Sequence, residues 1–283
     1  MGSQQLNSGN LVYPRFGGIN EYISNFDSTY HAMQTEIRQR YKSGSSYQVN
    51  WTWAKSIDDL GGAVGNAAED NQVRSLNLRL NRANSDFTQR HVVRANWLWA
   101  MPYGGKTSQW HPAAKALFGG WSVSGIAQWS TGLFVTPLVQ GTTFNGRPDA
   151  VPGVSWHLTD DDRNALAQKT GDPSYLDRSL RWFNPCAFAP VAVDQGRIGN
   201  LGRNSVVGPS LHNLDAVLSK SFHVPGLPER VRANLRFETF NVFNHTNLFA
   251  RSLNLNINTA TAGAFSQITG NPRQMQFGFR MEF

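Results

Sequence analysis

The chain has 283 residues, 40% hydrophobic and 16% charged, with 17 Phe, 9 Trp and 7 Tyr, which is too apolar and too lightly charged for a disordered segment. A single Cys186 excludes a disulfide framework or a multi-cysteine metal centre. The net charge of +7 invites a nucleic-acid partner, but the cations come singly and no zinc, helix-turn-helix or RNA-recognition motif accompanies them, so none is expected.

Residues 116–146 carry no charge, yet seven Gly or Pro residues interrupt them, and the sequence predicts no spanning helix there. Met1-Gly-Ser-Gln-Gln-Leu6 lacks a basic start followed by an apolar core, so the expectation is either a cytosolic chain or one whose true beginning is missing.

In chain order, the elements read as strands. A weak one is expected near 18–24. The clear ones begin at 30–41, with Met33, Ile37 and Tyr41 opposed to Gln34, Glu36, Arg38 and Arg40. They continue at 47–53, where Tyr47, Val49, Trp51 and Trp53 alternate with Gln48, Asn50 and Thr52, and at 90–101, where Val93, Ala95, Trp97, Trp99 and Met101 oppose Arg90, Arg94 and Asn96. Further strands are expected at 121–131, 213–222, 230–239 and 274–283. Twelve charged residues in these seven strands fall on the polar face, and Lys220 alone falls on the apolar one, near a strand end where it can snorkel.

Such alternation fits a soluble sandwich or a membrane barrel. Trp121 and Trp129 lie on one face about 26 Å apart along a strand, which on a tilted strand is about 20 Å of height, close to the ~25 Å band that aromatic girdles flank in outer-membrane barrels. The connections alternate as well. Counted back from a periplasmic C-terminus, periplasmic links fall at 223–229, 102–120 and 42–46, and extracellular ones at 240–273, 132–212, 55–89 and 25–29. Three of these four are longer than any periplasmic link.

The stretches Ser28-Thr-Tyr-His-Ala-Met-Gln34, Tyr47 to Trp53 with Ala54 to Asp59, Gly120-Trp-Ser-Val-Ser-Gly125 and Trp182-Phe-Asn-Pro-Cys-Ala-Phe188 form an ordered set with Gly199-Asn-Leu-Gly-Arg-Asn204, Phe237 to His245 and Gly270 to Gly278. In order and spacing, from Tyr13 to Phe283, the chain resembles the C-terminal barrel portion of Oar-like TonB-dependent outer-membrane receptors. The resemblance implies an all-β fold: an antiparallel transmembrane barrel segment, about eight strands of a barrel of roughly 22, with long extracellular loops. Residues 1–283 are then the C-terminal barrel portion, with the plug and N-terminal domain absent. It further implies transport of an unidentified solute at the cell outer membrane, no enzymatic activity and no cofactor. The implied partners are outer-membrane lipid, a TonB complex engaged through the missing N-terminal part, and the barrel assembly machinery. A soluble β-rich module holding a glycan or protein in its long loops is the alternative.

Among chemistry-bearing residues, Asp160-Asp161-Asp162 lack the spacing of a calcium loop and read as a solvated loop. The seven histidines show no metal-binding spacing, Cys186 has no neighbouring His or Lys, and Gly199 and Gly202 read as turn formers. Arg232, Arg236, Glu238, Arg280 and Glu282 come together if the last two strands pair antiparallel, and are the lumen-facing candidates. In the terminal strand Phe277, Phe279, Met281 and Phe283 share one face and resemble the assembly signal of outer-membrane proteins, read by strand addition to an exposed edge.

Overall fold

The computed structural model describes residues 26–59, 78–101, 109, 111, 114, 117–139, 146–177, 180–192, 195, 197–224, 226, 228 and 230–283. The expected strand at 18–24 lies outside them. Each of the other seven is present: β1 (Ser28–Arg40), β2 (Ser46–Asp58), β3 (His91–Ala100), β4 (Trp121–Ser130), β5 (Leu211–His223), β6 (Arg232–Phe240) and β7 (Gln274–Glu282). Every strand pairs antiparallel with its sequence neighbour, giving an up-and-down sheet that ends at β1 and β7. Among the described residues those two edges pair with nothing further, so the sheet is open. A short rung at Ala83–Asn84 extends the end of β2.

Because directly opposed residues share a face, the register tests the alternation across the whole sheet. One level runs Ile37, Val49, Ala95, Ala127, Leu214 across β1 to β5. Another runs Leu218, Phe237, Phe277 across β5 to β7. The seven apolar faces therefore fall on one side of the sheet. The other three ladders in the described residues are only two residues deep, so no second sheet covers that side. Consequently Ile37 is 57%, Phe279 63% and Phe277 86% exposed.

β2 runs five residues beyond its expected end, which brings Lys55, opposite His31, onto the apolar face as a second cation at a strand terminus. Within that face Trp97 lies over Gly125 of β4, where an added Cβ would sit 2.4 Å from the indole. Trp121 and Trp129 occupy opposite ends of β4.

The turn at 41–45 is tight, closed by the Tyr41 N–H to Ser45 O bond of 2.9 Å with Gly44 at φ +88°. Antiparallel pairing puts the three long links, 59–90, 131–210 and 241–273, at one end of the sheet. Here lies the larger apolar core among the described residues: Val135, Phe183, Ala187, Phe188, Leu201, Val206 and Leu253, with Trp156, Trp182, Leu255, Ile257 and Phe265 against it. The described parts of these links thus form a folded cap. It includes a helix, α1 (Asp160–Thr170), and this corrects the reading of Asp160-Asp161-Asp162 as a loop: the three acids form its first turn, favourable at the positive end of the helix dipole. Thr159 caps it, accepting from Asp162 N–H, while the Asp162 carboxylate accepts from Thr159 N–H.

Candidate functional site

Two surfaces stand out: the polar face of the sheet and the cap at its end. On the polar face, β6 and β7 bring the expected lumen-facing residues together. Arg232 pairs in register with Glu282, and Arg280 with Asn234. Arg236 binds Glu238 at 2.5 Å, Arg280 binds Glu282 at 3.4 Å, and Gln276 donates to Glu238. In a strand, positions i and i+2 point the same way, so Arg236 with Glu238 and Arg280 with Glu282 each carry their counter-ion. This half of the wall is internally neutralised except for Arg232, whose guanidinium meets no partner among the described residues.

Across β1 to β4 the polar face is different. One level of register aligns Glu36, Asn50, Arg94, Gln128 and Asn213. The next aligns Arg38, Gln48 and Asn96. Gln48 donates to Glu36 at 3.1 Å. Arg38, Arg40 and Arg94 are exposed, and their guanidinium groups bind no described residue. Sequence reasoning placed all three on the polar face without singling them out. The available signal was the lack of an acid two residues from Arg40 or Arg94 on the same strand face.

The cap is locked by buried arginines that sequence reasoning missed, since arginines scattered through long links give no periodic signal. Arg203 donates to Asn81 O at 2.8 Å, to Asp58 O at 2.9 Å and to the Asp58 carboxylate, tying the 131–210 link to the end of β2. Arg147 reaches Asn81 Oδ1 at 3.0 Å, and burial, followed by the nearby Arg203 charge, lowers its guanidinium to about 10. Arg181 binds Asp172 at 2.6 Å and the Ala260 and Ala262 carbonyls at 2.7 and 2.9 Å, joining two links. Hydrogen bonds from Ser174, and then from Arg181, hold the Asp172 carboxyl below its ordinary range. Arg163 of α1 donates to the Tyr175 and Arg181 carbonyls at 3.1 and 3.0 Å.

The motif stretches build this lock. Asn184 accepts from Cys186 N–H, leaving Cys186 exposed on a short 3-10 turn. Asn241, at φ 50°, accepts from His245 N–H and donates to Asn271 O at 3.1 Å, fastening the end of β6 to the start of β7. Gly199 is needed for a close approach rather than a turn, because an added Cβ would lie 2.1 Å from Pro148 O; the positive φ of that stretch belongs to Asn204, at 52°. Gly202 meets neither demand, with open space around it and no positive φ.

No three His, Cys, Asp or Glu residues gather around a metal-sized space among the described residues. Three of the seven histidines, His91, His212 and His245, instead join an aromatic row along the cap end of the apolar face. Trp51 stacks on His91 at 6.0 Å, His91 meets Trp129 at 6.5 Å, Trp129 meets His212 at 6.4 Å, and His212 meets His245 at 5.2 Å. At the other end Lys220 sits 4.7 Å over Trp121 and donates to Leu117 O at 2.6 Å. Aromatic groups at both ends of a bare apolar band are the arrangement of a membrane-spanning sheet.

An antiparallel meander with one bare apolar side, aromatic ends and a cap over one end defines a wall of the membrane-barrel class. The model of the outer membrane beta barrel domain family matches residues 2–276, so the chain belongs to that family and its place is the outer membrane. No curated protein and no solved structure matches the chain significantly.

Proposed function

We propose that the chain is the C-terminal barrel wall of a TonB-dependent receptor of the Oar-like kind, a non-enzymatic protein that passes a solute across the outer membrane. The observation that carries this reading is the continuous apolar side of the sheet beside two edge strands that pair with nothing further among the described residues. β1 is exposed at all thirteen of its residues, as expected of a strand whose neighbour in a larger wall lies outside the described residues. Lipid is the partner of the apolar side. Energy comes through a TonB complex engaged by segments upstream, and the terminal strand is the handle for the barrel assembly machinery, with Phe277, Phe279, Met281 and Phe283 as its anchors.

The deciding experiment compares solute uptake by cells carrying the gene, with its upstream sequence, in the presence and absence of a working TonB complex. Uptake and growth phenotypes that depend on both support the receptor. A phenotype indifferent to TonB overturns it. Deleting Phe283 should sharply lower the amount of barrel reaching the surface, as read by protease accessibility on whole cells, whereas Glu282→Gln should leave it unchanged.

A further inference from the structure

We infer that the polar face of β1 to β3 is a binding surface for a multivalent oxyanion, a carboxylate- or phosphate-bearing small solute, with Arg94, Arg38 and Arg40 as its charged contacts. The inference deepens the receptor reading and rests on it in one respect, that this face is open to the path of the solute. Every acid on the polar side of the strands is engaged. Glu36 is held by Gln48, Asp215 by the Asn241 N–H at 2.8 Å, and Glu238 and Glu282 by their arginines. The three guanidiniums have no such partner among the described residues.

Free guanidiniums in water are not strained, so their freedom alone implies nothing. Their placement does. The two halves of the same face treat arginine differently: β6 and β7 bind Arg236 and Arg280 to acids and leave only Arg232 over, while in β1 to β3 Glu36 is held by Gln48 and Asp58 by Arg203, so that Arg38, Arg40 and Arg94 together leave a net positive patch. Arg94 and Arg38 stand two strands apart and one register level off, about 10 Å across the sheet. That span suits separate carboxylates of one solute better than a single monovalent anion. Guanidinium forks bind such groups bidentately. Asn50 and Gln128, directly beside Arg94 in register, add neutral donors and acceptors for hydroxyls or for the remaining oxyanion lone pairs.

The test uses the protein purified in detergent from its native outer membrane, with variants introduced on the chromosome and folding checked by heat-modifiable gel mobility. Citrate is the probe, titrated calorimetrically. Citrate should bind saturably and weaken as salt rises. Arg94→Gln should weaken binding at least tenfold, and Arg38→Gln should do so independently, while Arg280→Gln, whose guanidinium already serves Glu282, should stay within twofold. Spermidine should not bind. Unchanged affinity in both Arg94→Gln and Arg38→Gln, or equal binding of spermidine, overturns the inference. So does an oligo-aspartate peptide that binds where citrate does not saturate, which would make the patch a dock for an acidic polypeptide. If citrate binding depends on Arg94 while uptake ignores TonB, only the receptor reading falls; if uptake needs TonB but citrate binding ignores both arginines, only the anion surface falls.

Discussion

The sheet and the cap are built on opposite principles. In the sheet the apolar side chains have no second layer of protein to pack against, and order comes from a backbone ladder seven strands wide. In the cap, irregular backbone is held by a small dense core and by arginines that reach carbonyls in other links. Phe183, in the cap, is fully buried, while Phe277, in the sheet, is almost fully exposed. The contrast teaches that burial of a large apolar residue here reports which solvent it faces: the cap is a water-soluble fold, and the sheet is shaped for lipid.

The largest expected effect breaks the cap and spares the sheet. Arg203→Ala leaves Asp58 buried without its ion pair, a loss of about 3–5 kcal/mol. Limited proteolysis should then cut within the 131–210 link while the strand signal in circular dichroism persists; simultaneous loss of both would show that cap and sheet fold as one unit.

Next comes the converse. Phe279→Arg puts a charge on the bare apolar side and should cost about 2–4 kcal/mol in a bilayer, whereas Gln276→Arg on the polar side should cost little. Folded fraction after insertion into lipid vesicles measures the difference, and equal losses would reverse the assignment of faces. Ala233 shares the apolar face but is only 1% exposed, so charging it would test packing instead of lipid contact.

A smaller effect probes packing within the lipid side. Gly125→Val removes the space over which Trp97 lies, and overpacking of this kind costs about 1–3 kcal/mol. Trp fluorescence should report the displaced ring, and Gly278→Val, where the nearest neighbour is at 3.7 Å, should not behave alike.

The smallest effects concern α1. Thr159→Ala removes the cap of the helix and should cost about 1 kcal/mol, loosening the cap alone. The Thr159 hydroxyl and N–H hold the Asp162 carboxyl below its ordinary value of 3.8, and Ser174 and Arg181 do the same for Asp172. Depressed folded values mean stabilisation that is full above the ordinary carboxylate range and disappears as pH falls through the lower folded values. Acid should therefore open the cap before the sheet, as followed by proteolysis rates between pH 6 and pH 3; a sheet that melts first would contradict this.

The sequence by itself determined the strands, their faces and the end of the sheet at which the long links gather. Alternation is a local, period-two property, so Tyr47 to Trp53 or Met275 to Phe283 announce their two sides without knowledge of any neighbour. The same locality made Arg236 with Glu238 and Arg280 with Glu282 legible as same-face pairs. Only the tertiary structure decided the cap and the state of each charge. Arg203 and Asp58, or Arg181 and Ala262, lie far apart in sequence, and no period links them. The run Asp160 to Asp162 became a helix start through Thr159 before it and the anchoring of Arg163 behind it. Likewise, whether Arg94 is neutralised depends on Asn50 and Gln128, the residues that register brings alongside it on two other strands. Hydrogen-bond register is a relation between strands, and a single strand's sequence does not contain it.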